Sequence, residues 1–244
     1  DPYGRFTVEE LFAPEALRLV QALADAGDPR LDRVQDSMQG LLFLAPREKF
    51  MAGSWRFLTY FGRDTLLSLM LLQPALTREA YGRGIESVLL RLDPAGDVAH
   101  EEDLGPWAER RRVAGELEGV PLPAPGEPLS EAAVEALYQP LYDYKMVDDD
   151  FLLSPALARL AEAHPETLAT LFRNPGARQA VLANWRTVLE AGERFVREPS
   201  YRTTVAIRPG SSVGDWRDSS EGGGGGRYAG DGDLDLLPPP PRGH

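Results

Sequence analysis

The sequence predicts an all-α fold. Apolar residues recur at spacings of three and four through most of residues 6–196, which is the period of helices that bury one face. Strand signals are almost absent, and the best of them covers 202–208. A length of 244 residues suits one large domain or two small ones. We expect about eight helices, joined into hairpins by short connections and packed side by side.

Local signals place the helices along the chain. Thr7 and Glu10 form a capping-box sequence at the start of the first helix, which is expected to end near Gly27. Further helices are predicted over 31–44, from Thr65 to Pro74, from Thr77 to Arg91, from Ser154 to about Ala163, and over 177–196. A turn is expected at 93–96, and the Pro-rich stretch from there to Ser130 is expected to be a functional loop.

Charge and composition exclude several classes of partner and chemistry. The chain has 26 Lys and Arg against 38 Asp and Glu, a net charge of −12, which argues against nucleic acid or an anionic membrane as the main partner. The absence of Cys excludes disulfides, thiolate metal sites and cysteine nucleophiles. No apolar run reaches about 18 residues, so no membrane span is expected. The start at Asp1 suggests a processed chain, and no compartment is predicted.

Two low-complexity runs mark the end of the chain. Gly222 to Gly226 is a run of glycine, and Pro238 to Pro241 is a run of proline. Neither composition suits a packed core. We therefore expect a helical domain over 1–221 followed by a loop or tail over 222–244.

The first of four acidic and aromatic clusters lies at 55–65. Trp55, Phe57, Tyr60 and Phe61 precede an Arg-Asp pair that ends at Asp64. An isolated Asp at this place is typical of a helix N-cap. Aromatic residues beside a charged pair are also typical of a sugar-binding wall with a catalytic carboxylate, and both interpretations stay open.

The second cluster, 96–105, contains His100 and Glu101. His100 has no partner His at helical spacing, so a zinc site is a weak interpretation. Hydrogen bonding to a hydroxyl-rich ligand and a solvated acidic loop are the alternatives.

The third cluster contains three adjacent carboxylates, Asp148, Asp149 and Asp150, before an apolar run. Adjacent like charges raise one another's pKa, so such groups are usually either solvated or used. The alternating ligands of a calcium loop are missing.

The fourth cluster, 214–221, leads into the glycine run. A P-loop is excluded because no Gly-Lys-Ser/Thr follows. No Gly-x-Ser-x-Gly motif for a serine nucleophile occurs either. Carboxylates, Trp and Tyr in loops are instead the residues that glycoside hydrolysis uses, with one carboxyl as acid and one as base.

Two of these segments resemble a known family. Gly62-Arg63-Asp64-Thr65 followed by Leu-Leu, and Gly214-Asp215-Trp216-Arg217-Asp218-Ser219, resemble segments of the glucosidase domain of glycogen-debranching enzymes. These belong to the six-hairpin, (α/α)6-barrel glycosidases, and the similarity touches roughly residues 40 to 228. The resemblance implies an (α/α)6 toroid-like array of helix hairpins. About eight predicted helices against the family's twelve imply a partial barrel, apparently incomplete at its C-terminus.

The resemblance also implies an inverting hydrolase that acts on α-linked glucosides, with Asp64 as general acid and Asp218 as the base that activates water. It implies that Trp55, Tyr60, Phe61 and Trp216 stack on sugar rings and that Arg63, His100, Glu101 and Asp149 bind hydroxyls. Asp215 and Glu221 are alternative bases that otherwise bind substrate, and the alternative role of Asp64 is to bind the sugar only. No cofactor or metal is implied. The expected partner is a carbohydrate, and association into an oligomer would cover apolar helix faces left open by a partial barrel.

Two other functions stay open. A catalytically inactive relative would bind a saccharide or a partner through the same loops. A purely structural helical scaffold would explain the helices but leave the clustered aromatic residues as coincidence.

Overall fold

A computed structural model describes residues 4–53, 57–113, 128, 131, 139–200, 203, 205 and 214. This part of the chain is mostly helical, as the sequence predicts. It contains α1 (Val8–Leu11), α2 (Pro14–Asp25), α3 (Leu31–Leu44), α4 (Gly62–Leu72), α5 (Arg78–Leu89), β1 (Glu101–Asp103), α6 (Pro106–Val113), β2 (Leu141–Asp143), α7 (Asp148–Ala163), α8 (Pro165–Leu171) and α9 (Pro175–Arg197).

The capping box at the start of α1 is confirmed. Thr7 Oγ1 accepts the Glu10 backbone N–H at 3.4 Å, and the Thr7 N–H donates to Glu10 Oε2 at 2.8 Å. The prediction of one helix as far as Gly27 is wrong, because α1 ends at Leu11 and α2 begins at Pro14. Proline lacks an N–H and has a fixed φ, so it suits the first position of a new helix rather than the interior of a long one.

The other helix predictions differ mainly at their ends. The prediction for α3 is confirmed at both ends, and α5 begins directly after its N-cap, Thr77. α4 begins at Gly62 rather than at Thr65, and α9 is two residues longer at its start and one at its end than the predicted 177–196.

The predicted helix start at Ser154 is wrong. α7 begins six residues earlier at Asp148 and contains Pro155 in its interior. Three carboxylates occupy its first turn, where they interact favourably with the positive end of the helix dipole. This favourable first turn is consistent with a helix that begins before Ser154-Pro155, where the proline predicted its start.

The stretch predicted to be irregular contains regular structure. β1 and β2 pair antiparallel, with Glu101 opposite Asp143, and α6 lies between them in sequence. Three-residue strands are too short to give a readable alternation of polar and apolar side chains. The predicted strand at 202–208, except for residues 203 and 205, and the predicted tail over 222–244 lie outside the described residues.

The core lies where α4, α5 and α7 pack against one another. Leu66 and Leu69 of α4, Ile85 of α5, and Leu153 and Leu160 of α7 are fully buried. Burying each such side chain stabilises the fold by about 1.5–3 kcal/mol. Among the described helices, none has both the length and the apolar composition required to cross a bilayer.

α9 fixes the turn at 93–96. Gly96 has φ +90°, and its carbonyl accepts a hydrogen bond from Asn184 Nδ2 at 3.0 Å. The same Nδ2 donates to the Asp150 carbonyl at 3.2 Å, so one buried amide joins α9 to this turn and to α7. A Cβ at position 96 would lie 2.1 Å from the Asn184 backbone nitrogen.

Replacing Gly96 with Ala should lower the free energy of unfolding by about 2–4 kcal/mol, since it adds a backbone clash to the strain of a positive φ. Gly27→Ala is the matched control, because Gly27 has φ +59° and nothing within 4 Å of a Cβ. It should cost about 1 kcal/mol. Urea unfolding measures both variants, and equal losses would contradict the role of the contact with Asn184.

The Glu10 carboxylate should titrate at an unusually low pH. The hydrogen bond from Arg47 and then the Thr7 backbone N–H lower the pKa of Glu10 from 4.5 to about 2. The stability that this group adds should therefore be complete above pH 4.5 and disappear as the pH falls towards 2. NMR titration measures this pKa; Arg47→Gln should move it back towards 4.5, whereas Arg18→Gln should leave it unchanged.

Candidate functional site

The start of α4 is held against the strand that follows His100. Gly62 is the first residue of α4, and its N–H donates to the His100 carbonyl at 2.9 Å. A Cβ on Gly62 would lie 2.3 Å from the Ala99 carbonyl oxygen, so the close approach requires glycine. Phe61 pairs with Glu101 in an isolated bridge. Residues 60–61, β1 and β2 thus form three adjacent extended segments.

The three Asp residues at the start of α7 have three different partners. Asp148 Oδ2 lies 3.4 Å from Arg63 Nη1, Asp149 Oδ2 lies 3.0 Å from His100 Nδ1, and Asp150 Oδ1 accepts the Val98 N–H at 2.7 Å. The carboxylates therefore diverge: Asp148 fixes α7 to α4, whereas Asp149 and Asp150 fix it to the segment 98–100. The described residues contain no group of three or more acidic or His side chains arranged to hold a metal ion.

His100 and Asp149 form a buried pair, since the two side chains are 1% and 0% exposed. An ionised carboxylate can only accept, so His100 Nδ1 carries the shared proton in that state. Burial raises the pKa of Asp149, and the hydrogen bond from His100 opposes this effect. The Phe61 ring meets the imidazole edge to face, with centroids 5.3 Å apart. The family resemblance predicts that both residues bind sugar hydroxyls, and the structure buries both side chains.

Asp64 lies on the accessible side of the same region. Its side chain is 41% exposed, and its Oδ2 lies 4.0 Å from Arg63 Nε. The N-cap position of α4 is Phe61, so the alternative interpretation of Asp64 as the N-cap is wrong. Arg63 lies between two carboxylates, because its guanidinium also contacts Asp148.

A buried ion cluster lies beneath these residues. Glu102 accepts hydrogen bonds from Lys49 and from Arg91, whose Nη2 is 3.3 Å away, and Arg91 also pairs with Glu48. The Arg91 guanidinium lies 4.8 Å from the centroid of the Tyr60 ring. The sequence-based predictions do not include this cluster. A signal for it is Arg91, which lies in the otherwise apolar segment 88–92.

Tyr60 and Phe61 are predicted to stack on sugar rings, and the structure places them in the core. Tyr60 is 0% and Phe61 7% exposed. Burial raises the pKa of the Tyr60 hydroxyl well above 10. The neighbouring Phe57 is 49% exposed, with its ring centroid 6.0 Å from that of Phe61. Among the described aromatic residues of this segment, Phe57 is therefore the exposed one.

Glu101 is a partly exposed carboxylate beside the His100 pair. Its side chain is 30% exposed and lies 3.9 Å from Lys145 Nζ. Burial raises the pKa of Glu101, and Lys145 opposes the shift. Lys145 also donates to Asp143 at 2.8 Å, so one ammonium group serves both carboxylates.

Gly214, the first residue of the second family-like motif, lies beside the start of α7. The Val147 N–H, one residue before α7, donates to the carbonyl of Gly214 at 2.9 Å, and Gly214 is buried. Five predicted site residues lie outside the described residues, namely Trp55, Asp215, Trp216, Asp218 and Glu221.

The described surface also has a groove at the opposite end of the helices. It has a volume of about 440 Å³ and lies between α5 and α8, with Arg78 and Glu166 among its lining residues. Arg78 follows the end of α4, and Glu166 follows the end of α7. The groove is therefore remote from Asp64, and it shares no residue with the predicted site.

Removing His100 and Asp149 together should lower the free energy of unfolding by less than the sum of the two single losses. His100→Ala leaves the Asp149 carboxylate buried without this donor and should cost about 2–4 kcal/mol. The double variant with Asp149→Ala should be more stable than the sum of the single variants by about 1–3 kcal/mol. Urea unfolding of the four proteins measures this coupling, and simple additivity would contradict it.

Comparison of the chain with family models, with curated proteins and with solved structures finds no match. Any function assigned to the chain therefore depends on the chemistry of its own residues.

Proposed function

We propose that this protein is a glycoside hydrolase of the six-hairpin, (α/α)6-barrel type that cleaves α-glucosidic bonds with inversion. One observation carries the proposal. Asp64, the carboxylates at the start of α7, and Gly214, where the second family-like motif begins, come together at one end of two packed helices.

The arrangement of α4 and α7 supports a site at this end. The two helices pack against each other, and the Arg63–Asp148 contact joins their first turns. Their N-termini therefore lie side by side, where the positive ends of both dipoles stabilise carboxylates. The family resemblance implies an active site at the same place, where the N-termini of inner helices meet the loops.

Asp64 is the proposed general acid. Its side chain is partly exposed, as contact with a substrate requires. In the reaction, the Asp64 carboxyl transfers its proton to the glycosidic oxygen as the bond from that oxygen to C1 breaks. The leaving sugar then departs as an alcohol.

Asp218 is the proposed base. It removes a proton from the water whose oxygen forms the new bond to C1. Asp218 follows Gly214 by four residues, and an extended chain of four residues spans at most about 14 Å. This short link keeps Asp218 near the start of α7, and inverting enzymes separate the two carboxyl groups by about 6.5–9.5 Å. Asp215 and Glu221 are the alternative bases in the same segment.

The other predicted site residues divide into two proposed roles. Tyr60, Phe61, His100 and Asp149 are buried, so we assign them to positioning of the α4 and α7 N-termini. Arg63, Glu101, Trp55 and Trp216 keep their predicted roles in binding hydroxyls or stacking on sugar rings. Hydrolysis by two carboxyl groups requires no cofactor.

The second candidate is a saccharide-binding relative that has no catalytic activity. The Arg63 contact with Asp148 supports this candidate equally, because a guanidinium between two carboxylates presents donors and acceptors suited to sugar hydroxyls. Both candidates place the carbohydrate at the same end of α4 and α7.

Glucose release from maltose, isomaltose and an aryl α-glucoside tests the proposal. Asp64→Asn and Asp218→Asn should each lower kcat by about 10²–10⁴-fold, the usual contribution of an acid or base. Asp36→Asn, on the exposed surface of α3, is the matched control and should leave kcat unchanged.

Full activity in either variant would overturn the role of that residue. Binding of a saccharide by calorimetry, with no turnover of any of these substrates by the wild-type protein, would select the inactive relative.

A further inference from the structure

α9 has two faces that differ in burial. One face packs against the core through Val181 and Asn184, which are 2% and 0% exposed. Four large apolar side chains lie on the other face at spacings of three, four and seven residues. They are Leu182 (49% exposed), Trp185 (40%), Leu189 (66%) and Val196 (77%). We call this set the α9 stripe.

The α9 stripe has the pattern of a helix-pairing surface. Leu182, Trp185, Leu189, Gly192 and Val196 occupy successive a and d positions of a heptad repeat. At 1.5 Å per residue, the stripe is about 21 Å long. A continuous apolar surface of this kind on a helix is typical of a site that another helix covers.

We propose that the α9 stripe pairs antiparallel with the α9 stripe of a second copy of this chain, around a two-fold axis near Leu189. This arrangement places Leu182 opposite Val196 of the partner subunit and Leu189 opposite Leu189 of the partner subunit. Each contact occurs twice, as the symmetry of a homodimer requires.

Gly192 is a sign of the antiparallel arrangement. Glycine inside a helix costs about 1 kcal/mol relative to alanine, and no described residue reaches within 4 Å of where a Cβ on Gly192 would be. The described part of its own subunit therefore gives no packing reason for glycine at this position. Around the proposed axis Gly192 faces Trp185 of the partner subunit, and the missing side chain leaves room for the indole.

The charges beside the stripe favour the same direction. Arg186 and Glu193 lie at successive e positions on one side of it, and both are exposed. Antiparallel pairing places e positions beside e positions, so Arg186 lies near Glu193 of the partner subunit and the contact occurs twice. Parallel pairing would instead oppose the two Trp185 rings. Charge and side-chain volume therefore point to one orientation and to one partner, a second copy.

Sedimentation equilibrium of the full chain tests the proposal, with a concentration-dependent dimer expected for the wild type. Leu189→Glu places two carboxylates together at the axis and should raise the dimer Kd tenfold or more. Leu19→Glu is the matched control, because Leu19 is 69% exposed on α2, outside the stripe. It should leave the Kd unchanged.

Charge reversal tests the orientation. Arg186→Glu and Glu193→Arg should each weaken the dimer, and the double variant should restore it. Gly192→Leu should stabilise the monomer against urea, since it removes a helical glycine, and still weaken the dimer.

Three outcomes would overturn the proposal. The first is a wild-type monomer at all concentrations, as expected if another part of the same chain covers the stripe. The second is a dimer that Leu189→Glu leaves intact. The third is a double charge variant no tighter than the single ones.

Discussion

His100 forms hydrogen bonds to three separate elements of the fold, and the surrounding region depends on them. The His100 carbonyl accepts the Gly62 N–H, its own N–H donates to the Asp143 carbonyl at 2.7 Å, and its imidazole pairs with Asp149. These partners belong to α4, β2 and α7, which are distant in sequence. A single buried residue therefore sets the relative position of three elements, and the first turns of α4 and α7 lie together because each is fixed to it.

The buried carboxylates Glu102, Asp149 and Asp150 in this region each have at least one partner. Burying an unpaired charge is far more costly than burying an ion pair with hydrogen bonds. Glu102 is 2% exposed and shares Lys49 and Arg91, while Asp150 is satisfied by a backbone N–H. Asp64 differs, since its side chain is considerably exposed. The region thus combines a fixed polar interior with a carboxylate that a ligand can reach, an arrangement that preorganised sites share.

Local signals in the sequence were sufficient for part of the fold. The capping box of Thr7 and Glu10 and both ends of α3 follow from spacing within one or two turns. The short strand after His100 does not, because it exists only through its pairing with β2. The interruption at Pro14 and the early start of α7 do have local causes, a proline and three acidic residues, but the predicted helix bounds do not include them. The sequence also brought His100 and Asp149 to attention for their chemistry. It could not show that they bind each other, since burial is a property of the packed chain.

The contacts around His100 have a consequence for how the protein folds. His100 and Asp149 are 49 positions apart, and Arg63 and Asp148 are 85 positions apart. Contacts between residues so distant in sequence form only after long loops have closed, which slows folding relative to a bundle held by local contacts. A helical hairpin such as α2 and α3 requires no such closure. The first turns of α4 and α7 therefore come together only after the chain between Arg63 and Asp148 has closed into a loop, and the acidic end of α7 cannot be assembled from neighbouring residues alone.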